Sequence, residues 1–227
     1  MDAPKRRRRL KGWARAALGV LAGAAALAVL WLLVLRPLSV RLATAGTPGA
    51  QVEIPDWIDQ DLLPINSHSR PGRPLRQVNG VVIHYVGNPG STAQNNRDYF
   101  ANLSLTRSTY ASSHFVVGLE GEIIQCVPLS EISFCSNDRN DDTIAIEVCH
   151  PDETGEFLPE TRDSLVRLTA FLCESFGLEE DQIIRHYDVS GKICPRYYVE
   201  HPEDWDALKE QIAAAMAPSP AEETAVP

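Results

Sequence analysis

The chain reads as an α/β protein, a mixed central β-sheet flanked by helices, with one N-terminal transmembrane helix ahead of it. Three observations predict this. Short apolar runs rich in β-branched residues alternate with helical periodicities between residues 76 and 216. Within Pro159 to Phe176, Leu165, Leu168, Thr169 and Leu172 recur at helical spacing, with Gly177 placed as a C-cap. A charge-free run from Ala16 to Leu35 follows a cluster of bases at the N-terminus.

The elements follow in order. Lys5, Arg6, Arg7, Arg8, Arg9, Lys11 and Arg15 form a basic segment over 1–15. The apolar run read as 16–36 covers roughly the 30 Å of a bilayer core at about 1.5 Å per residue. Bases that all precede the span place the N-terminus in the cytoplasm and the remainder outside the cell membrane. Arg36-Pro37 reads as the end of the span. A cleaved signal peptide is the rival, since Ala43-Thr44-Ala45 offers small residues for cleavage, but signal-peptide cores are usually about 7 to 15 residues long. Both readings export the domain.

Residues 37–75, broken by Pro48, Pro55, Pro64, Pro71 and Pro74, read as a stalk and lead-in segment, with Ile54 to Ile58 and Leu62-Leu63 apolar enough to dock. Gly80 to Val86 reads as a buried strand and Ala93 to Leu103 as a helix. Ser112 to Leu119 and Glu122 to Val127 form a hairpin about Glu120-Gly121. Thr143 to Cys149 and Gln182 to Arg185 are further strands, and Glu203 to Ala215 is a closing helix. The tail 217–227 has the composition of a disordered segment.

Charge narrows the function. Of 21 Lys and Arg and 30 Asp and Glu, eight bases and one acid (Asp2) lie in residues 1–36, which leaves 13 bases against 29 acids and a formal charge of −16. Nucleic acid, which demands a basic face, is a poor partner for such a domain. The cysteines, Cys126, Cys135, Cys149, Cys173 and Cys194, contain no C-x-x-C pair, so a structural zinc finger and a thioredoxin-type site are disfavoured. No disulfide pairing is assigned.

Arg185-His186-Tyr187-Asp188-Val189 followed by Gly191-Lys192-Ile193-Cys194-Pro195 sets an imidazole and a thiol around one loop. Zn²⁺ favours these donor types, and a catalytic site needs three protein ligands and an open position. His84, at the end of Val81-Val82-Ile83, is the third candidate. His84 and His186 meet if their strands are parallel neighbours. The bland alternative is two packed histidines and a buried cysteine. Of the other histidines, His68 and His201 lie in Pro-flanked polar segments, His150 precedes Pro151, and His114 more readily packs than ligates.

Four ordered blocks carry a resemblance: Val78 to Tyr85, Ser112 to Val117, Thr143 to Glu147, and Arg185 to Pro195. Over roughly Arg76 to Trp205 the chain resembles the type 2 N-acetylmuramoyl-L-alanine amidases, whose fold is shared with phage amidase lysozymes and peptidoglycan recognition proteins. The resemblance implies zinc on His84, His186 and Cys194, where many relatives carry an acid at the third position. It also implies hydrolysis of the amide between N-acetylmuramic acid and L-alanine in peptidoglycan. Glu147 matches the family's glutamate, a proton acceptor for water, and Lys192 a cation beside the developing oxyanion. Their alternatives are a strand-end acid and a solvated loop lysine.

Two departures stand out. Ser113 occupies the position of a tyrosine in phage relatives and is too short to replace it, while Tyr110 lies in a different register. Ser133-Phe134-Cys135-Ser136-Asn137 replaces an aromatic-histidine pattern beside the substrate groove. The readings that follow are a membrane-tethered zinc hydrolase of the wall, a non-catalytic muropeptide receptor of the same fold, or an anchored scaffold.

Overall fold

The computed structural model describes residues 4–216. The expected disordered tail and the first three residues of the basic segment lie outside the described residues. The chain divides into two compact units, the first ending at Ala43 and the second beginning at Thr44.

In the first unit, α1 (Pro4–Leu30) continues through a π-helical turn at Trp31–Leu35 into α2 (Arg36–Thr44). From Trp13 to Leu35 its large apolar side chains are exposed, and Gly12–Thr44 is long and apolar enough to cross a membrane. The helix does not stop at Arg36-Pro37 as the sequence suggested. Pro37 lacks an N–H, and its ring would crowd the carbonyl four residues back. The wider turn just before it, where the Arg36 N–H reaches the Trp31 carbonyl, takes up that conflict without ending the helix.

The second unit is built on a six-stranded sheet: β1 (Asp59–Gln60), β2 (Val81–Tyr85), β3 (Phe115–Val117), β4 (Ile123–Gln125), β5 (Ile144–Val148) and β6 (Ile183–Arg185). The spatial order is β1-β4-β3-β5-β2-β6, and only β3 and β4 pair antiparallel. They form the expected hairpin, turned at Gly121 with φ 81°. The central strands β2 and β5 read as nearly continuous apolar runs because both of their faces are covered.

Alternation along the strands divides the interior. Val81, Ile83, Phe115, Val117, Ile144 and Ile146 pack on one side with Leu165, Leu168 and Leu172 of α4 (Pro159–Phe176) and Leu208 and Ile212 of α7 (Pro202–Met216). Gly177, at φ 64°, caps α4 as its placement predicts. On the other side Val116, Ile124, Val86 and Cys149 pack with Ala93 and Phe100 of α3 (Ala93–Thr106). α3 opens on a capping box formed by Thr92 and Asn95. Two one-turn helices escaped the sequence reading, α5 (His186–Ser190) and α6 (Arg196–Glu200), being too short to show a period.

The segment read as stalk and lead-in is helical at its start, and from Gly49 it is folded on the second unit. A Cβ on Gly49 would collide with the Leu129 carbonyl, and Ile58, Leu63 and Leu75 are buried. Trp57 meets Phe171 edge-on at 5.9 Å and carries the Arg167 guanidinium 4.0 Å above its ring. Asp59 and Gln60 add β1 to the sheet edge beside β4. The prolines prevent a long helix, but the apolar residues between them still find the core.

Arg70 locks this segment down. Its side chain is 14% exposed and forks onto Glu131, 3% exposed, with N···O distances of 2.9 and 2.7 Å, while a further N–H donates to the Leu63 carbonyl. Removing one partner strands a buried charge, so Glu131→Ala is expected to lower the unfolding free energy by roughly 3 kcal/mol in a denaturant titration, against under about 1 kcal/mol for breaking the exposed Arg73 to Asp141 pair.

Candidate metal centre

The site is assembled by strand register. β2 pairs in parallel with β5 on one side and β6 on the other. His84 lies directly opposite Glu147 on β5, and His186 comes one residue after the last β2 to β6 pair, Ile83 with Arg185. Both sequence-predicted histidines therefore stand at one end of neighbouring parallel strands, although His186 is the first residue of α5 and not the last of a strand. Asp188 accepts from both the backbone N–H and the guanidinium of Arg185, which fixes the start of that helix. Gly191, at φ 76°, turns the chain back, and the Tyr187 N–H donates to the Cys194 carbonyl at 3.0 Å, closing the loop.

This brings the three candidate ligands together. His84 Nδ1 is 3.1 Å from His186 Nδ1 and 3.9 Å from Cys194 Sγ, and one donor atom from each residue lies within 4.8 Å of the others. Donors on one tetrahedral zinc, with bonds of about 2.0–2.1 Å to nitrogen and 2.3 Å to sulfur, sit roughly 3.3 Å (N to N) and 3.6 Å (N to S) apart. The spacing and chemistry of the set fit that ion. All three side chains are buried.

Burial also sets protonation. Desolvation, followed by the charges of His186 and Lys192, lowers His84 well below the usual imidazole range. Desolvation and Lys192 bring His186 down to about 4. Both imidazoles are neutral at pH 7, the form that donates a lone pair. Burial pushes the Cys194 thiol up to about 12, reinforced by the Glu147 charge, so with no cation beside it the sulfur keeps its proton.

Glu147 and Lys192 share a cleft of about 330 Å³ with His84 and His186, walled by Tyr110 and Phe134. Burial raises Glu147 to about 7, against the opposing effects of a hydrogen bond from the Cys135 thiol and the charge of Lys192. Cys135 Sγ lies 3.5 Å from Glu147 Oε1, while buried Oε2 has no hydrogen-bond partner among the described residues. A second hollow of about 390 Å³ meets the first at Phe100, Ala111 and Glu147 and extends to Asn88, Asn96 and Tyr99. The acid thus stands at the middle of a groove.

The remaining sequence candidates separate clearly. Ser113 is buried away from the cleft, its hydroxyl donating to the Phe115 carbonyl at 2.7 Å. Tyr110 lines the cleft, 64% exposed and stacked on His68 at 4.8 Å. His114 is structural: its Nδ1 accepts from the Ala145 N–H and its Nε2 faces the Glu131 carbonyl. His150 packs its two ring nitrogens against the Val86 and Asp152 carbonyls, leaving none for a shared ligand site with Cys149. All five cysteines are free. Reading the sequence missed Ser136 and Asn137, whose side chains contact His84 Nε2 at 3.0 Å and His186 Nε2 at 2.9 Å. Their only signal was the departure of that segment from the family pattern.

Comparison with known proteins identifies the family. The family profile N-acetylmuramoyl-L-alanine amidase (Amidase_2) matches residues 74–197. The N-acetylmuramoyl-L-alanine amidase BlyA of Bacillus subtilis (strain 168) is 32% identical over 176 residues, covering 68% of this chain and 46% of BlyA. CwlL, an N-acetylmuramoyl-L-alanine amidase of Bacillus licheniformis, is 29% identical over 171 residues, covering 69% of this chain and 47% of CwlL. The chain spans about half the length of the curated relatives it matches. The solved catalytic domain of XlyA superposes with a TM-score of 0.59 at 27% identity, covering 68% of this chain and 98% of that domain.

The raised pKa of Glu147 has a stability consequence in metal-free protein. Its carboxyl rises from 4.5 to about 7 on folding, so the folded state binds the proton more tightly than the unfolded one. Stability is full below about pH 4.5 and falls as pH rises through about 7. Glu147→Gln stays neutral, so in chelator-treated samples it should match the wild type at pH 4 and exceed it at pH 8, by at most about 3 kcal/mol, in denaturant titrations.

Proposed function

The chain belongs to the N-acetylmuramoyl-L-alanine amidase family, and on that premise we propose that it hydrolyses the amide between N-acetylmuramic acid and L-alanine in peptidoglycan, as a zinc enzyme held at the membrane. The observation that carries the proposal is the meeting of His84, His186 and Cys194 beside a buried glutamate in a groove. Its ligands would be His84 Nδ1, His186 Nδ1 and the Cys194 thiolate. A zinc ion bound there supplies a Lewis acid for the carbonyl and a water acidified to a pKa of about 7.

The protein's own groups do the rest. An amide is a poor electrophile with a poor leaving group, so a proton must leave the attacking water and another must reach the nitrogen. Glu147 is placed for both transfers, with Oε1 held by Cys135 and Oε2 uncommitted. Its affinity for protons near neutrality suits a group that takes one and gives it back. Lys192 keeps a fixed positive charge at the cleft, where the carbonyl oxygen becomes negative. Tyr110 and Phe134 offer an apolar wall for the muramyl-peptide, and no phenol stands where Ser113 does.

The N-terminal helix would anchor the domain outside the cell membrane, its basic flank staying in the cytoplasm. A domain so tethered acts on the wall nearest the bilayer. The acidic balance of the exported portion, a formal −16, argues against nucleic acid as a partner.

Mass spectrometry of peptidoglycan digested by the full chain tests the function: stem peptides with a free L-alanine amino group are expected, and intact muropeptides from a zinc-loaded protein would favour a receptor. Cys194→Ser should lose most of its zinc by elemental analysis, since a hydroxyl is a far weaker donor than a thiolate. Glu147→Gln should keep zinc while turnover falls by about 100-fold to 10,000-fold.

A further inference from the structure

Three consecutive side chains meet three different site residues. Cys135 Sγ contacts Glu147 Oε1, Ser136 Oγ contacts His84 Nε2, and Asn137 Oδ1 contacts His186 Nε2. The loop carrying them is itself fixed, because Asn140 Oδ1 accepts the backbone N–H groups of both Cys135 and Ser136, at 3.0 and 2.7 Å. Asn137 adopts a left-handed backbone with φ 51°, which Asn tolerates better than most residues and which turns its amide into the site. Ser136 is buried.

We infer that Ser136 and Asn137 are positioning residues for the two histidines, Asn137 selecting the tautomer of His186 and Ser136 holding the ring of His84. An amide oxygen only accepts, so the His186 Nε2 facing it must carry the ring proton, and Nδ1 is left with its lone pair. The Ser136 hydroxyl, able to donate or accept, holds the His84 ring at Nε2 in whichever tautomer it adopts. His186 Nδ1 then presents its lone pair at the point where the two rings and Cys194 converge. In solution a neutral imidazole divides its proton between both nitrogens. For His186 the choice is made before a cation arrives, which removes a reorganisation cost from binding, and each ring is held in plane.

The inference rests on zinc being the resident ion, and its test separates the two ideas. Zinc affinity of the full chain is measured by chelator competition for the wild type, Ser136→Ala, Asn137→Gly and Asn137→Asp. Gly and Asp both accept the left-handed backbone, but only Asp keeps an acceptor oxygen. Ser136→Ala and Asn137→Gly should bind zinc 10-fold to 100-fold more weakly, the usual weight of such a partner, and Asn137→Asp should retain wild-type affinity. In metal-free wild type, imidazole ¹⁵N spectra should show His186 protonated on Nε2, and in Asn137→Gly a mixture of tautomers. Wild-type affinity in Asn137→Gly and Ser136→Ala, or equal loss in Asn137→Gly and Asn137→Asp, overturns the positioning role. A wild type that binds no zinc overturns the proposed function instead.

Discussion

The site depends on one constraint, the parallel pairing of β2 with β5 and β6 at once. Because side chains alternate along a strand, the register that buries Val81 and Ile83 against α4 also sends His84 to the opposite face. The same register puts Glu147 across from it and delivers His186 at the next strand end. A slip of one residue would hide the imidazole in the apolar layer and expose an isoleucine in the cleft. The large apolar area of β2 and β5 thus fixes the chemistry indirectly, since core packing decides which residues can meet.

Electrostatics in the cleft works by subtraction. Burial removes charge from both histidines and from Glu147, and the ammonium of Lys192 pushes each in the direction of less positive or more negative character. Two neutral rings, a protonated thiol and a carboxyl balanced near neutrality form a set that carries no positive charge of its own. The Cys135 thiol adds a weak donor on one oxygen of Glu147, which lowers the cost of the carboxylate without committing it to an ion pair.

Much of this was legible in the sequence. The buried strands, the hairpin at Gly121 and the long helix ending at Gly177 follow from local period and turn chemistry, and the order of four blocks pointed to the fold and to His84, His186, Cys194 and Glu147. What could not be read is non-local. Ser136 and Asn137 sit 52 and 49 residues from the histidines they touch, and nothing in their neighbourhood announces a partner. The end of the first helix was misjudged because Pro37 was weighed by its usual effect, and a π turn neutralised it. Residues 37–75 read as a stalk and lead-in because prolines dominate their composition, and the apolar residues read there as able to dock, Ile58 and Leu63 among them, are buried.

That last segment changes what counts as the unit that can be moved between proteins. A fragment trimmed to the stretch that matches the family, 74–197, would forfeit Ile58, Leu63 and the edge strand β1, and would leave Glu131 sealed inside without its guanidinium. It would also cut α7 away from α4, uncovering Leu165, Leu168 and Leu172. Recombination that respects the folded boundary must carry both flanks together, so the inheritable module is larger than the recognisable one.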